Sequence, residues 1–202
     1  RLQAIPEEFA QEVSEVRAHL EGSAAVTAQP GGTGAPPLFV LATGTGLRTA
    51  AALGLPAVIG GPILDAGELP ELLARYRRDF RPHRGSSPEV IASVDALIAD
   101  TDREARDLAL PEIWAMARSR TTGVFEQLEP VERIRREDWS EKETRRVEKG
   151  LAAAVAGPAD TVRRRIEQIV ERTGAAEILS TGSTYDREAL ADSDRRLAEL
   201  LR

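Results

Sequence analysis

Leu38-Phe39-Val40-Leu41-Ala42-Thr43-Gly44-Thr45-Gly46 is the stretch on which the fold turns. The apolar run from Leu38 to Ala42 is too short for a helix and is bounded by chain breakers, so it reads as a buried strand. It ends in a Thr/Gly turn, and a helical pattern follows to Leu53, where Gly54 supplies a stop. A buried strand that feeds a helix through a small-residue turn is the unit from which parallel sheets are built.

The same alternation extends in both directions. Upstream, Phe9, Val13, Val16 and Leu20 recur at helical spacing over residues 6–21, and residues 24–37 form a Pro/Gly/Ala-rich loop. Downstream, residues 55–60 form a second apolar run, closed by Gly60-Gly61-Pro62, and a helix is expected over 68–80. Residues 90–99 read as a third strand. Thr101 and Glu104 then form a capping box that opens a helix to about Ser119. Residues 120–139 are irregular, which suits a mobile loop or lid. Ser140 and Glu143 make a second capping box for a helix to about Ala154, and Pro158 suits the first turn of a helix over 158–172 that Gly174 ends. Glu177–Thr181 is the fourth strand and 186–201 the closing helix, with Asp186 the expected N-cap. The fold class is therefore α/β, a single domain over residues 1–202 in which four strands are each followed by helix. Four such units are half of a (β/α)8 TIM-type barrel.

Composition narrows the function classes. The 202 residues carry a formal charge of −6, with acidic and basic residues mixed along the chain, so a nucleic-acid surface is not expected. The clusters Arg135-Arg136, Arg145-Arg146 and Arg163-Arg164-Arg165 lie among glutamates on helical patterns and read as solvated faces. Cysteine is absent, which removes disulfides, thiolate nucleophiles and Cys-metal sites. His19 and His83 are too few for a His-rich metal centre and read as surface residues. No apolar run approaches a membrane span and no signal peptide is visible, so the expected compartment is the cytoplasm. A chain that starts at Arg1 suggests processing or truncation. No Ser-His-Asp arrangement, paired catalytic carboxylates or metal-ligand spacing is visible.

The best candidate site is the turn Thr43-Gly44-Thr45-Gly46, at the C-terminal end of a strand and the start of a helix. Its backbone N–H groups, hydroxyls and helix dipole suit an anion, and its glycines permit close approach of a phosphate. A plain strand-to-helix turn capped by Thr45 explains the same residues. The spacing is not the dinucleotide fingerprint. Arg48 can flank the same phosphate or simply be solvated. Asp65 follows the second strand. Arg118, Arg120, Thr121 and Thr122 open the irregular segment and can close over a phosphate. Thr181, Ser183, Thr184 and Tyr185 follow the last strand, where they can face a ligand or cap the final helix.

Five segments lie in one order along the chain. They are Pro36–Gly44 with Arg48, Ala50-Ala51 and Gly54-Leu55-Pro56; Leu73, Tyr76 and Phe80-Arg81-Pro82; Ala99–Ala105; Gly157-Pro158 with Thr161-Val162; and Thr173–Leu179. Together they resemble the luciferase-like flavin-dependent monooxygenases. The resemblance implies the last four βα units of a (β/α)8 barrel, with the first four strands and their catalytic groups upstream of Arg1. It implies an enzyme that uses reduced FMN and O2 to oxygenate an organic substrate, or a fragment of one; the deazaflavin F420 is the less favoured cofactor. Thr43, Gly44, Thr45, Gly46 and Arg48 are then the cofactor-binding residues, around the flavin phosphate. Thr43 stands where the family has a hydroxyl, whereas Gly46 replaces a second one. The implied partners are a flavin reductase, the missing N-terminal half or a second subunit, and a homodimeric copy. A non-catalytic flavin-binding or partner subunit of the same family is the alternative.

Overall fold

The computed structural model describes residues 6–26, 29 and 34–202, so the loop expected over 24–37 falls partly outside the described residues. The helices are α1 (Pro6–Leu20), α2 (Thr45–Leu53), α3 (Leu69–Asp79), α4 (Asp102–Thr122), α5 (Val131–Ile134), α6 (Glu141–Ala153), α7 (Ala159–Thr173) and α8 (Arg187–Leu200). The strands are β1 (Val40–Leu41), β2 (Ala57–Gly60), β3 (Val90–Val94), β4 (Ala96–Ile98), β5 (Val155–Gly157) and β6 (Glu177–Ser180). One sheet has the order β1-β2-β3-β6, and β4 pairs with β5 separately. The β1–β2 and β4–β5 pairs are parallel, Val40 facing Ala57 and Ala96 facing Val155, which makes the protein α/β as expected. The chain divides into two compact units, Arg1–Ala92 with Arg172–Ile178, and Ser93–Glu171 with Leu179–Arg202.

In the first unit, the buried side chains of β1 and β2 (Val40, Ala57, Ile59) meet Leu47, Ala50 and Ala51 of α2 and Leu69, Leu73 and Tyr76 of α3. Gly54 ends α2 in the left-handed region, φ 65°. A Cβ there would overlap the Arg81 carbonyl oxygen, so only glycine lets the chain after α3 pass this closely. The Arg81 amide donates to the Ala51 carbonyl at 2.9 Å, and the Ser86 hydroxyl donates to the Gly54 carbonyl at 2.8 Å. Tyr76, 2% exposed, directs its hydroxyl at the carbonyls of Leu55 and Glu89, both at 3.0 Å. Burial pushes this phenol up to about 12, so it remains a donor throughout the working range. Arg77 donates to the Thr173 carbonyl at 2.6 Å, tying α3 to the end of α7.

The second unit is organised by α4. Both expected capping boxes form: Thr101 with Glu104 opens α4, and Ser140 with Glu143 opens α6. Asp186 caps α8 as expected, its carboxylate accepting from Glu188 and Ala189. Trp114 of α4 stacks on Trp139, ring centroids 4.8 Å apart, over a cluster of Leu110, Ala117, Ile134 and Val147. Gly150 of α6 allows the close approach of α4, since a Cβ would lie 2.6 Å from Ile113 Cγ2.

Three sequence expectations change. The third strand is two strands, β3 and β4, interrupted at Asp95. A further strand, β5, lies between α6 and α7, where three residues were too few to signal themselves. Within the segment expected to be irregular, α4 runs on past Ser119 to Thr122 and α5 forms at Val131–Ile134. The end of α4 is held by Arg146 of α6, which donates to the Ala117 carbonyl and the Thr121 hydroxyl.

Two stability outcomes follow. Thr101→Ala should cost about 1 kcal/mol in a urea denaturation, with Thr101→Ser close to wild type. Gly85, at φ 83° with open space around it, should tolerate alanine for the left-handed strain alone, about 1–2 kcal/mol. Gly54→Ala should cost clearly more in the same measurement, because it adds the overlap with Arg81.

Candidate functional site

The turn after β1 is built almost as the sequence suggests, with one difference in its cap. Gly44, not Thr45, is the N-cap of α2; it has φ 53° and ψ −98°, and no side chain caps the helix. Thr45 is the first helical residue. The Gly46 amide donates to the Thr43 carbonyl at 3.1 Å and the Leu47 amide to the Gly44 carbonyl at 3.3 Å, so these two donors close the first turn. The amides of Gly44 and Thr45 precede them, at the helix end where donors lack intrahelical acceptors. Gly44 must be glycine on backbone grounds, yet a Cβ there would meet nothing within 4 Å. Open space at a backbone-determined glycine is what an anion seated on this turn requires. Gly46 has a packing reason instead, since its Cβ would stand 3.3 Å from that of Ala42.

Thr43 and Thr45 are exposed, as is Arg48, whose guanidinium makes no ion pair among the described residues. A groove of about 800 Å3 opens against Gly44, Thr45 and Arg48 and continues between α2 and α3. The turn therefore brings two hydroxyls, an exposed cation and two leading amides to one accessible helix end.

The remaining sequence candidates separate. Asp65 is exposed at the end of a 3-10 turn, Gly61–Asp65. His19 is exposed in the last turn of α1. His83, expected to be a free loop residue, is half-buried and its Nε2 lies 2.9 Å from Glu21 Oε1. Arg84 lies 3.2 Å from the other Glu21 oxygen. That hydrogen bond to His83 holds the Glu21 carboxyl below the usual carboxylate range. Arg118 lies over the Trp114 ring at 5.6 Å and pairs with Glu137 at 3.5 Å. Arg120 is exposed and Thr122 donates to the Arg118 carbonyl, so this group forms the end of α4.

In the second unit, the residues after β6 join a polar chain that the sequence did not disclose. Thr181 donates to Asp95 Oδ1 at 2.7 Å, and its oxygen lies 3.2 Å from the Ser93 hydroxyl. Gly182 passes against the Ala96 carbonyl, where a Cβ would come to 2.8 Å. Ser183 bonds Glu112, a half-buried carboxyl in the middle of α4. Thr184 is buried and Tyr185 exposed. Desolvation raises the Glu112 carboxyl above the usual range, and Asp95 adds to the rise, against the Ser183 hydrogen bonds. Asp95 and Glu112 were missed because alternation and helical period label one as a strand residue and the other as a helix residue, with no sign of a partner.

The raised Glu112 value gives a signed pH effect. The fold favours the protonated carboxyl, so the stability it contributes is complete below the ordinary carboxylate range and is lost as pH rises through the raised value. Glu112→Gln keeps a partner for Ser183 and removes the titration. Its urea midpoint relative to wild type should therefore shift in the variant's favour between about pH 4 and about pH 7. An unchanged difference across that range would show that Glu112 is fully solvated.

Comparison with known proteins gives consistent kinship. The family described as luciferase-like monooxygenase matches residues 7–177. YvbT, an uncharacterized protein of Bacillus subtilis (strain 168), is 27% identical over 186 residues, 89% of this chain and 55% of its own length. The solved structure of apo-MsnO8 superposes with a TM-score of 0.76 at 24% identity, over 98% of this chain and 61% of that one. The oxygenating constituent of 3,6-diketocamphane monooxygenase from Pseudomonas putida, solved in complex with FMN, has a TM-score of 0.53 at 20% identity, over 89% and 51% of the two chains. The chain thus spans about half the length of the curated relatives it matches. With the family match running through both compact units, this chain belongs to the luciferase-like monooxygenases.

Proposed function

We propose that this chain is part of a flavin-dependent monooxygenase in which the Thr43–Arg48 turn holds the phosphate of FMN. The observation that carries this reading is the open turn itself: a glycine with positive φ and empty space above it, flanked by exposed Thr43 and Thr45 and by exposed Arg48, which makes no ion pair among the described residues. Reduced FMN with O2 would supply the oxidising chemistry, as cofactors do for reactions beyond the reach of side chains. The chain's own contribution is binding and orientation. The Gly44 and Thr45 amides and the α2 dipole favour a dianion, the Thr43 hydroxyl donates one further bond, and Arg48 adds charge from the flank. Thr181, Ser183 and Asp95 also follow strand C-termini, the end at which barrel enzymes place their ligands.

On this reading the chain is about the last four βα units of a (β/α)8 barrel. Its complement, in the same polypeptide or another subunit, provides the catalytic groups, and a separate reductase delivers reduced flavin. Two facts support a missing complement: the relatives are about twice as long, and β1 leaves Leu41 76% exposed and Phe39 beside it 46% exposed. Apolar strand residues this exposed expect a cover. The half-length match also supports a second reading, a flavin-holding or partner subunit without turnover. Substrate oxygenation by the purified chain alone, given FMNH2 and O2, would eliminate that second reading.

Thr43→Val keeps the shape of the turn and removes its hydroxyl. A lost hydrogen bond to a charged group is worth about 1.5–3 kcal/mol, so the FMN dissociation constant should rise roughly 10- to 150-fold. Riboflavin, which lacks the phosphate, should bind both proteins equally. Unchanged FMN affinity in a folded variant would make the turn purely structural, and parallel titration with F420 tests the deazaflavin alternative.

A further inference from the structure

Helix α1 is attached to its unit mainly by polar groups. Among its described side chains, Glu8–Leu20, none is fully buried, and Phe9 and Val16 are 37% and 51% exposed. Apolar burial on α2 therefore supplies little of the attachment. Two ties lie at its C-terminal end instead. Arg17 donates to the Leu53 carbonyl at 2.7 Å. Glu21, just past the helix, has His83 Nε2 2.9 Å from one carboxylate oxygen and Arg84 3.2 Å from the other.

The partners in that second tie are badly placed without one another. A carboxylate at the C-terminal end of a helix opposes the helix dipole. The Glu21 side chain is nevertheless only 14% exposed. Arg84 is the one non-glycine residue with positive φ among the described residues, at 50°. It takes the first central position of a tight turn, with Gly85 second at φ 83° and the Ser86 amide donating to the His83 carbonyl at 3.0 Å. Asparagine suits such a position, whereas arginine is strained in it. What arginine adds there is the reach of its guanidinium to Glu21.

We propose that the His83–Ser86 turn is a latch on Glu21, and that opening it lets α1 undock from α2 as a unit while the rest of the first unit stays folded. The turn strain and the misplaced carboxylate are offset together or not at all, which makes the contact two-state. An element with little buried apolar surface opens well below the stability of the whole fold. Undocking uncovers the face of α2 on which α1 packs and frees the Leu53 carbonyl. No residue of the Thr43–Arg48 turn forms the latch, so it stands or falls apart from the flavin reading.

The test is hydrogen exchange of the 202-residue chain, followed by mass spectrometry of peptides from α1 and from α2. Amides of α1 should be protected about tenfold less, or weaker still, than those of α2. Glu21→Gln should lower α1 protection about two- to fivefold, the worth of one partly exposed ion pair, and leave α2 unchanged. Arg84→Asn then separates a latch from incidental strain. Alone, it breaks the contact and should lower α1 protection by a similar factor. Added to Glu21→Gln, it only relaxes the turn, so α1 protection should stay where the single variant left it and the urea midpoint of the chain should rise. Exchange of α1 no faster than that of α2 overturns the proposal. So does a loss of α2 protection alongside α1 in either variant, or an Arg84→Asn effect that is the same with and without Glu21.

Discussion

Gly54 is the constraint on which the first unit depends. It stops α2 in the left-handed region, and the absence of a side chain lets Arg81 lie against it. From that contact follow the Arg81-to-Ala51 and Ser86-to-Gly54 bonds, which set where the chain leaves α3. One residue further on, the Leu55 carbonyl shares the buried Tyr76 hydroxyl with the Glu89 carbonyl, just ahead of β2 and β3. A single backbone conformation thereby aligns two helices with two strands. Strands this short contribute few ladder bonds, so their alignment has to come from such side-chain and cap contacts.

The second unit solves the same difficulty differently. Here, polar stitching does what glycine caps do in the first. Asp95 breaks an extended segment into β3 and β4, and its carboxylate receives Thr181 from the end of β6. The buried Ser193 hydroxyl of α8 accepts from the Ile98 amide at 2.8 Å, fixing the helix on β4. Around them, α4 and α6 pack about stacked Trp114 and Trp139, with Leu110, Ala117, Ile134 and Val147 beside the rings. The Trp114 indole N–H is buried with no hydrogen-bond partner among the described residues, a cost that the stacking has to offset.

The proposed site lies where a helix end is open rather than where the cores are dense. The Thr43–Arg48 turn owes its accessibility to a glycine that the backbone demands and to threonines that make no cap. The starts at Thr101 and Ser140 are closed by reciprocal boxes and that at Asp186 by an aspartate, whereas α2, like α3 and α5, has no side-chain cap. What distinguishes the start of α2 is the positive-φ Gly44 with open space above it, beside exposed Thr43, Thr45 and Arg48.

Local rules carried the sequence reading of β1, the Thr/Gly turn, the Gly54 stop, both capping boxes and the Asp186 cap, because each depends on residues within a few positions of one another. The split at Asp95, the strand β5 and the helical end of α4 were not legible, because each is decided by a distant partner: Thr181 for Asp95, β4 for β5, and Arg146 for Thr121. The same holds for His83, whose partner Glu21 lies 62 residues away, and for Glu112 with Ser183. Periodicity states which face of an element is apolar, but not which polar groups the fold will bring to it. The sequence by itself determined the α/β alternation and the open turn after β1; only the tertiary structure decided which carboxylates are paired and where a groove forms, because those depend on desolvation and distance between residues that the chain holds far apart.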